Sequence, residues 1–358
     1  MPYPVVPRTR KRVSPLSWKN AQPNSPVNSL HGAALLTDSD KVITLEKAVK
    51  RFISDGCHIS FGGFTVNRQP MAAVYEMIRQ GLKNLHVYMH SGGQALDILI
   101  GAGCIKAVEI AYGANGRFAP TCVRFRQAVE SGKLLVEDYS NYQMTLRFMA
   151  GAMGVPFLPV KSGMGTDIEK RWGFDSEMRR SDPRLPDRKL IVQNNPFSEQ
   201  EPESVVLVPA IHPDVTVIHA QQADRQGTVR IRGLTFADVE QARASRSVIV
   251  TCEELVETEV LRAEPDRNQI PFFTIAAVVH VPYGAHPTAC YHYYDYDAQH
   301  LNRYRRLALN DRRFSDYLDE YVFSMDNHEA YLKKIGDEVL GRIRAVPPYG
   351  YTPGLKRG

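Results

Sequence analysis

Residues 55–70, DGCHISFGGFTVNRQP, join a short strand-like run, His58–Phe61, to the glycine pair Gly62-Gly63. Glycine at the end of a buried strand costs backbone entropy and packs nothing, so it indicates a turn with positive φ or a close approach of the backbone to something else. The preceding segment, LEKAVKRFISDG (45–56), has apolar residues at helical spacing and ends at a glycine. The pattern predicts a helix, a buried strand and a glycine turn in succession.

The same alternation continues along most of the chain. Helical segments such as MAAVYEMIRQG (71–81) separate short apolar runs, and the connecting loops are a few residues long. Such alternation is typical of an α/β fold with an open, mostly parallel sheet and helices on both faces. Further strands are predicted at NLHVYM (84–89), IKAVEIAY (105–112), KLLVED (133–138), PFLPV (156–160), SVVLVPA (204–210), VTVIHAQ (215–221) and SVIVTCEE (247–254).

Composition and charge divide the chain into three expected segments. Residues 1–40 are predicted to be a disordered basic arm, 41–350 a folded domain with a polar, proline-rich excursion at about 161–204, and 351–358 a C-terminal tail. The net charge is +5. Residues 1–37 hold no acid and account for all of that charge, so we expect no nucleic-acid partner for the neutral body. Those basic residues are Arg8, Arg10, Lys11, Arg12 and Lys19.

Several other classes of protein are disfavoured. The longest apolar run, residues 271–281, is interrupted by Thr274 and His280, so no membrane partner is expected. The five cysteines are scattered without metal-ligand spacing, which predicts a reducing compartment, the cytoplasm, and no metal site. The GxG at Gly101 and Gly103 lacks the third glycine of a dinucleotide fingerprint and follows a predicted helix, and no P-loop motif is present.

Three consecutive predicted strands end in glycine-rich loops, at Gly62-Gly63, Gly92-Gly93 and Gly113/Gly116. Ligands of open α/β sheets bind outside the carboxyl ends of the strands, where bare backbone amides can face a phosphate or an oxyanion. Three tight strand–helix turns are the alternative. Valine in place of Gly63 should impair catalysis more than stability if its φ is negative, and should mainly unfold the protein if its φ is positive.

Two further groups of polar residues could carry chemistry. His280, His286, His292 and His300 lie in an aromatic-rich stretch without HxxxH or HExxH spacing, so we expect this stretch to pack on the body or on a partner chain. Glu253-Glu254 end a predicted strand. They could act as a general acid and base, although capping of the following helix is favoured.

Four motifs together resemble the glutaconate-type A subunits of the family I CoA-transferases. They are 55–70 and the segments HAQQADRQGTVRIRG (219–233), VIVTCEE (248–254) and PYGAHPTACYHYYDYD (282–297), and the similarity runs from about residue 43 to about residue 351. Many relatives have glycine where this chain has Arg68, but the glutaconate-type subunits have arginine there.

The resemblance implies half of a two-chain enzyme. Family members move CoA between carboxylic acids by ping-pong chemistry on a glutamate of the B chain, and no matching motif occurs in this chain. It implies a B-type partner, an acyl-CoA thioester as substrate, no permanently bound cofactor, and a dicarboxylic acid such as glutaconate. Arg68 and the Asn115-Gly116 loop would hold the distal carboxylate, unless Arg68 makes a surface ion pair. The implied substrate- and CoA-binding residues are Gly62, Gly63, Phe64, Arg68, Gly92, Gly93, Asn115 and Gly116.

The family also includes a ring-opening hydrolase of steroid catabolism and a decarboxylase. The hydrolase relatives use an acid on the equivalent chain just after the strand that corresponds to KLLVED. Here that neighbourhood reads YSNYQ (139–143), with Asn141 near the expected acid, which argues against hydrolysis. A non-catalytic scaffold for the B chain is a further alternative, although a scaffold has no need of three glycine loops.

Overall fold

The computed structural model describes residues 40–198 and 203–355. The expected basic arm lies outside the described residues, apart from Asp40. The strands are β1 (His58–Phe61), β2 (Leu85–Gly92), β3 (Ile105–Gly113), β4 (Leu135–Asp138), β5 (Phe157–Val160), β6 (Ile191–Asn194), β7 (Ser204–Pro209), β8 (Val215–Ala223), β9 (Val229–Arg230), β10 (Ser247–Leu255) and β11 (Ala277–His280).

Helices connect and cover these strands, and most begin at a side-chain cap or end at a glycine turn. Thr44 caps α1 by accepting from the Lys47 N–H, and Ser140 begins α5 with a complete capping box. The helices are α1 (Leu45–Phe52), α2 (Met71–Arg79), α3 (Gln94–Gly101), α4 (Val123–Glu130), α5 (Asn141–Met153), α6 (Asp167–Lys170), α7 (Ser176–Ser181), α8 (Asp238–Ala244), α9 (Thr258–Arg262), α10 (Ala298–Ala308), α11 (Asp311–Leu318), α12 (His328–Ile335) and α13 (Asp337–Ile343).

The main sheet has the strand order β11-β10-β8-β1-β2-β3-β4, and all of these pairs are parallel. The short strand β9 adds to β8 in the antiparallel direction. This architecture confirms the predicted α/β class. The chain starts at the centre, builds outward from β1 to β4, and then builds the other half from β8 to β11. The order of strands therefore reverses between β1 and β8.

Strands β5, β6 and β7 form a separate antiparallel sheet of three strands, in the order β5-β7-β6. The strands predicted at 156–160 and 204–210 therefore do not join the parallel sheet that the alternation predicts. The predicted excursion contributes β6, which reverses the chain and gives β7 an antiparallel partner on each side. Periodicity identifies a strand but does not identify the sheet that it joins.

The two faces of the main sheet are both buried but differ in character. Ile59, Val87 and Val108 point to an apolar core that also includes α1 to α3 and the C-terminal helices α10 to α12. The alternate residues, among them His86 and Glu109, lie on the other face and are also buried. That polar face is covered by α5, α8 and part of the excursion.

Other expectations concern the cysteines, the tail and the membrane. All five cysteines are buried and free. Thr352, assigned above to the C-terminal tail, is buried and donates its N–H to Asp295 at 2.6 Å, so the body extends into that segment. Within residues 40–198 and 203–355, no helix combines the length and the apolar character that a membrane span requires.

Candidate active site

The glycine loop of residues 62–69 follows β1 at the point where the strand order reverses. In open α/β sheets this is where the connections diverge and leave a crevice at the carboxyl ends of the strands. The loop is held by the segment after β11, because Arg68 donates its N–H to the Ala289 carbonyl at 2.6 Å and Gln69 donates to the Thr288 hydroxyl at 3.2 Å. The crevice is therefore built from segments far apart in sequence.

The glycine pair is needed for packing within the chain. Gly63 has φ +82°, and a Cβ atom there would lie 2.5 Å from the Asn67 carbonyl oxygen. The Gly63 N–H donates to Oδ1 of Asp238 at 2.9 Å, and the Gly62 N–H donates to the Val217 carbonyl at 2.9 Å. Both amides are thus bonded inside the protein. The expectation that this pair presents bare amides to a ligand is corrected, because the backbone that approaches it is the chain's own.

The second glycine pair, Gly92-Gly93, also allows close packing, here between the loops that follow β1 and β2. A Cβ atom on Gly93 would lie 2.2 Å from the Thr65 carbonyl oxygen, and one on Gly92 would lie 2.5 Å from the Leu96 side chain. The loops after β1 and β2 therefore contact each other through backbone. Gly116 differs, because it has φ +53° and open space where a side chain would lie. Of these glycines, Gly116 is the one placed to leave room for a ligand.

Arg68 lies beneath the loop and is only 3% exposed. Its Nη1 donates to Oδ2 of Asp238 at 2.6 Å and to the His219 carbonyl at 2.9 Å, and its Nη2 donates to the Leu234 carbonyl at 3.0 Å. Arg68 therefore makes no surface ion pair, and its guanidinium is not free to bind a substrate carboxylate. Its acceptors are supplied by the chain, so it fixes the loops that surround the crevice.

Asn115 is buried and is also turned toward its own chain. Its Nδ2 donates to Oε1 of Gln94 at 2.8 Å, which leaves the acceptor Oδ1 without a partner in the described part of the chain. An acceptor oxygen repels a carboxylate, so this geometry does not fit the expected contact with a distal carboxylate. The Nε2 atoms of Gln94 and of Gln69 are likewise buried and unpaired among the described residues. Three strand-end loops thus meet at a cluster of side-chain amides.

An aromatic surface forms the accessible part of the crevice. Phe64 stacks on Phe236 with ring centroids 5.0 Å apart and contacts His90 at 5.7 Å. Phe64 and His90 are half-buried, and the His90 Nδ1 has no hydrogen-bond partner among the described residues. Burial lowers the pKa of His90, so its imidazole is neutral at pH 7. The sequence pattern did not point to His90 or Phe236. The signal for His90 was its place in the strand that runs into Gly92-Gly93.

Strained backbone is concentrated around the same crevice. Among the described residues, five of the six non-glycine residues with positive φ lie in loops after β1, β9 and β11, and the sixth is Asn84. A β-branched threonine with φ +49° is a real outlier. Such conformations cost free energy and cluster at binding and catalytic sites. The five residues are Thr65, Arg68, Phe236, Tyr283 and His292.

The acid pair at the end of β10 does not cap a helix. Oε1 of Glu253 contacts His219 Nε2 at 2.7 Å and accepts from the Tyr294 hydroxyl at 2.5 Å, and Oε2 accepts from the Tyr283 N–H at 2.7 Å. Helix α9 instead begins after Glu257. The favoured capping role is therefore wrong, because β10 extends through both acids. Glu253 joins the aromatic-rich stretch to the sheet.

The histidine-rich stretch packs on the body of the chain. This is one of the two placements predicted from the sequence, the other being a partner chain. His286 contacts the Tyr331 hydroxyl at 2.7 Å, and His300 contacts the Tyr317 hydroxyl at 2.7 Å; both are buried. His219, Glu253 and Cys290 lie near one another, but both ring nitrogens of His219 are hydrogen-bonded, to Thr251 and to Glu253. That pattern is typical of a structural network.

Comparison with known proteins identifies the family. The model of the family Coenzyme A transferase matches residues 42–281. The A subunit of glutaconate CoA-transferase from Acidaminococcus fermentans is 42% identical over 311 residues, 87% of this chain and 97% of that protein. The A subunit of 3-oxoadipate CoA-transferase from Pseudomonas knackmussii is 34% identical over 300 residues, 83% of this chain and 99% of that protein.

The fold gives the same result. The crystal structure of glutaconate coenzyme A-transferase from Acidaminococcus fermentans matches with a TM-score of 0.84 and 42% identity, covering 87% of this chain and 98% of that chain. Sequence similarity and fold similarity thus cover the same share of the chain, and the family model spans the loops that follow β1 and β9. The chain belongs to the Coenzyme A transferase family.

Proposed function

We propose that this chain is the A subunit of a two-chain CoA-transferase that moves CoA between carboxylic acids, one of them a dicarboxylic acid such as glutaconate. The observation that carries the proposal is the group of strained loops and the half-buried aromatic surface at the strand-order reversal, in a member of this family. The similarity to A subunits over nearly the whole body supports a B-type partner. The cytoplasmic location suggested by the cysteines stays a prediction.

The proposed chemistry divides between the two chains. A glutamate carboxylate of the B-type chain attacks the thioester carbonyl, and CoA thiolate leaves to give an acyl-glutamyl anhydride. The thiolate then attacks the glutamyl carbonyl and releases the first acid, and the second acid reverses both steps. A carboxylate is a weak nucleophile, so this route depends on binding energy and on stabilisation of developing negative charge.

This chain would contribute the surface for the acyl group. Phe64 and Phe236 offer apolar ring faces to its carbon chain, and His90 packs beside Phe64 with a buried ring nitrogen that has no partner among the described residues. Arg68 and Asp238 would act as positioning residues, since they fix the loop that carries Phe64. Gly116 would leave space for the distal end of the substrate.

The hydrolase alternative is disfavoured at Asn141. This residue begins α5, and its Oδ1 accepts from the Ser91 hydroxyl at 3.2 Å, close to the second glycine pair. A side-chain amide has no basic oxygen able to activate water at pH 7. The position therefore lacks the base that hydrolysis would need, which fits a site that moves CoA between carboxylic acids.

Reconstitution tests the proposal. The purified chain should be inactive in a CoA-transfer assay, and activity should appear on mixing with a B-type chain. Clear turnover by the isolated chain would contradict the two-chain assignment.

In the active mixture, His90→Gln should lower kcat/KM by about 10-fold or more without changing the melting temperature. The exposed His212→Gln is the matched control, and equal kinetics for the two variants would remove His90 from the site.

A further inference from the structure

Glu253 is a buried carboxylate that joins three segments of the chain. It is 5% exposed, and both of its oxygens are occupied by groups of the protein itself. Oε1 accepts from the Tyr294 hydroxyl at 2.5 Å and contacts His219 Nε2 at 2.7 Å, while Oε2 accepts from the Tyr283 N–H at 2.7 Å. Because a carboxylate only accepts hydrogen bonds, Nε2 of His219 donates to it. Strand β8, the turn after β11 and the aromatic-rich stretch therefore meet at one side chain.

The first connection from this carboxylate runs along β8 to the glycine loop. The His219 carbonyl accepts from Nη1 of Arg68 at 2.9 Å. The same Nη1 donates to Oδ2 of Asp238 at 2.6 Å, and Oδ1 of Asp238 accepts from the Gly63 N–H at 2.9 Å. The next residue is Phe64, whose ring forms part of the proposed acyl-binding surface. A continuous series of hydrogen bonds therefore leads from the buried carboxylate to the loop that carries this ring.

The second connection runs through the turn after β11. Tyr283 has φ +56°, a strained conformation for an aromatic residue, and its N–H bond to Glu253 helps to hold it. A Cβ atom on the next residue, Gly284, would lie 2.7 Å from Cε1 of His219, so the turn packs directly on the imidazole ring. The Gly284 carbonyl accepts from the Ala72 N–H at 2.9 Å, in the first turn of α2. The carboxylate is thus connected to the chain on both sides of the glycine loop.

The glycine loop needs such support because its own backbone is strained. Thr65 and Arg68 have φ +49° and +50°, and conformations of this kind persist only where the surrounding structure imposes them. A displacement of about 1 Å in a group that positions the substrate can cost about 100-fold in rate. The rate of the reaction should therefore depend on groups that hold the loop from outside the acyl-binding surface.

We propose that Glu253 is a positioning residue for the transfer reaction. Through His219 and through the turn at Tyr283, its carboxylate sets the place of the glycine loop and of Phe64. The inference rests on the proposed function, because that function makes Phe64 part of the acyl-binding surface. Glu253 acts through its neighbours and not on the reacting atoms, since its oxygens are already occupied.

A comparison of two substrates tests this role in the complex with the B-type chain. Glutaconyl-CoA offers a carbon chain to the ring of Phe64, whereas acetyl-CoA offers only a methyl group, and both carry the same CoA. Glu253→Gln replaces one oxygen by an amide nitrogen that opposes a donor and loosens the loop. The variant should lower the ratio of kcat/KM for glutaconyl-CoA to that for acetyl-CoA by about 10-fold or more. A smaller folded fraction lowers both values equally and leaves the ratio unchanged.

Asp97→Asn is the matched control. Asp97 is also a buried carboxylate, and it accepts from the Tyr304 hydroxyl at 2.8 Å and from the Phe125 N–H at 2.8 Å. This variant should lower the melting temperature and keep the normal ratio. Tyr294→Phe retains the carboxylate and removes one of its donors, so it should lower the ratio by less than Glu253→Gln does. The proposal is overturned if the folded Glu253 variant keeps the normal ratio or, should that variant not fold, if Tyr294→Phe keeps it.

Hydrogen exchange separates this inference from the proposed function, because it requires no activity. The Gly63 and Arg68 amides donate to Asp238 and to the Ala289 carbonyl, and they should exchange about 10-fold faster or more in Glu253→Gln but not in the control. Faster exchange in a complex without transferase activity supports the positioning of the loop and removes only the proposed function. Unchanged exchange overturns the inference, and in an active complex it leaves the transferase assignment standing.

Discussion

At the scale of single residues, the glycine pair shows how a loop beside a binding crevice is built. Gly63 combines a positive φ with backbone contacts on the side where a Cβ atom would lie. Its N–H and the Arg68 guanidinium share the carboxylate of Asp238, so turn, ion pair and helix α8 form one unit. Arg68 also lies 5.7 Å from the Phe236 ring, which links this unit to the aromatic surface.

Gly63→Ala is expected to destabilise the protein far more than Gly81→Ala. Both glycines have positive φ, +82° and +72°, so each alanine carries a conformational cost of about 1–2 kcal/mol. A Cβ atom meets nothing within 4 Å at Gly81 but lies 2.5 Å from the Asn67 carbonyl at Gly63, which adds about 1–3 kcal/mol. Urea unfolding of both variants measures the difference. Equal stabilities would mean that the turn relaxes freely.

At the scale of elements, the excursion covers the polar face of the main sheet. Glu137 on β4 accepts from the Gly173 N–H at 2.7 Å and pairs with Arg179, and both charged side chains are buried. Lys189 donates to Asp138 at 2.9 Å. The charges of the sheet and of the excursion compensate each other, so removing one partner would leave the other buried without compensation.

Arg179→Met is expected to destabilise the protein by about 3–5 kcal/mol, because it leaves the Glu137 carboxylate buried without its partner. The neighbouring Arg180 is exposed, so Arg180→Met should change the free energy of unfolding by less than about 0.5 kcal/mol. Limited proteolysis should cut residues 161–190 faster in the Arg179 variant only. Identical unfolding curves for the two variants would show that the excursion is held by other contacts.

Buried histidine on the polar face of the main sheet predicts that the stability of the protein falls in acid. His58 stacks on His86 at 4.2 Å, contacts the Tyr88 hydroxyl at 2.7 Å and contacts Asp182 of the excursion at 2.8 Å. Burial, with the charges of His86 and Arg184, lowers the pKa of His58 to about 4 despite Asp182. Between pH 6.5 and 4, His58 is protonated in the unfolded chain but neutral in the folded protein. The free energy of unfolding therefore falls as the pH drops through this range.

His58→Gln should remove this part of the pH dependence. Between pH 7 and pH 5 the unchanged protein should lose about 2 kcal/mol more unfolding free energy than the variant, since each pKa unit is worth about 1.4 kcal/mol. Urea titrations at both pH values give the comparison. His300 and His328 also have pKa values lowered by burial, to about 3 and about 4, so both proteins weaken in acid. Parallel losses would exclude His58 as a source of the effect.

At the scale of the whole molecule, the folded body is expected to work without the basic arm. Deletion of residues 1–37, which hold the net charge and have no periodic apolar pattern, should leave the melting temperature and the transferase activity of the complex unchanged. These residues lie outside those described, so the expectation rests on sequence alone. Thermal melts and kinetics of the truncated complex measure both quantities. A large loss of either would show that the arm contacts the body or a partner.

The sequence by itself determined the fold class and most of the helices and strands outside the excursion. Apolar spacing identified the helices and strands, and glycine-ended strands placed the crevice at the carboxyl edge, because periodicity and turn conformation are local properties. The four long motifs were also sufficient to identify the family, which the comparisons confirm. Local pattern could not show that β5 to β7 leave the main sheet, since strand pairing is not encoded in the strand alone.

Only the tertiary structure decided what the site residues do. Arg68 and Asp238 are separated by 170 positions, so their buried pair, and with it the positioning role of Arg68, is invisible to any local pattern. The alternation in HISF and LHVYMH places polar side chains on one face of the sheet. Here the excursion covers that face and pairs its charges. Burial and long-range pairing depend on which segments meet in space, and that is settled only when the whole chain folds.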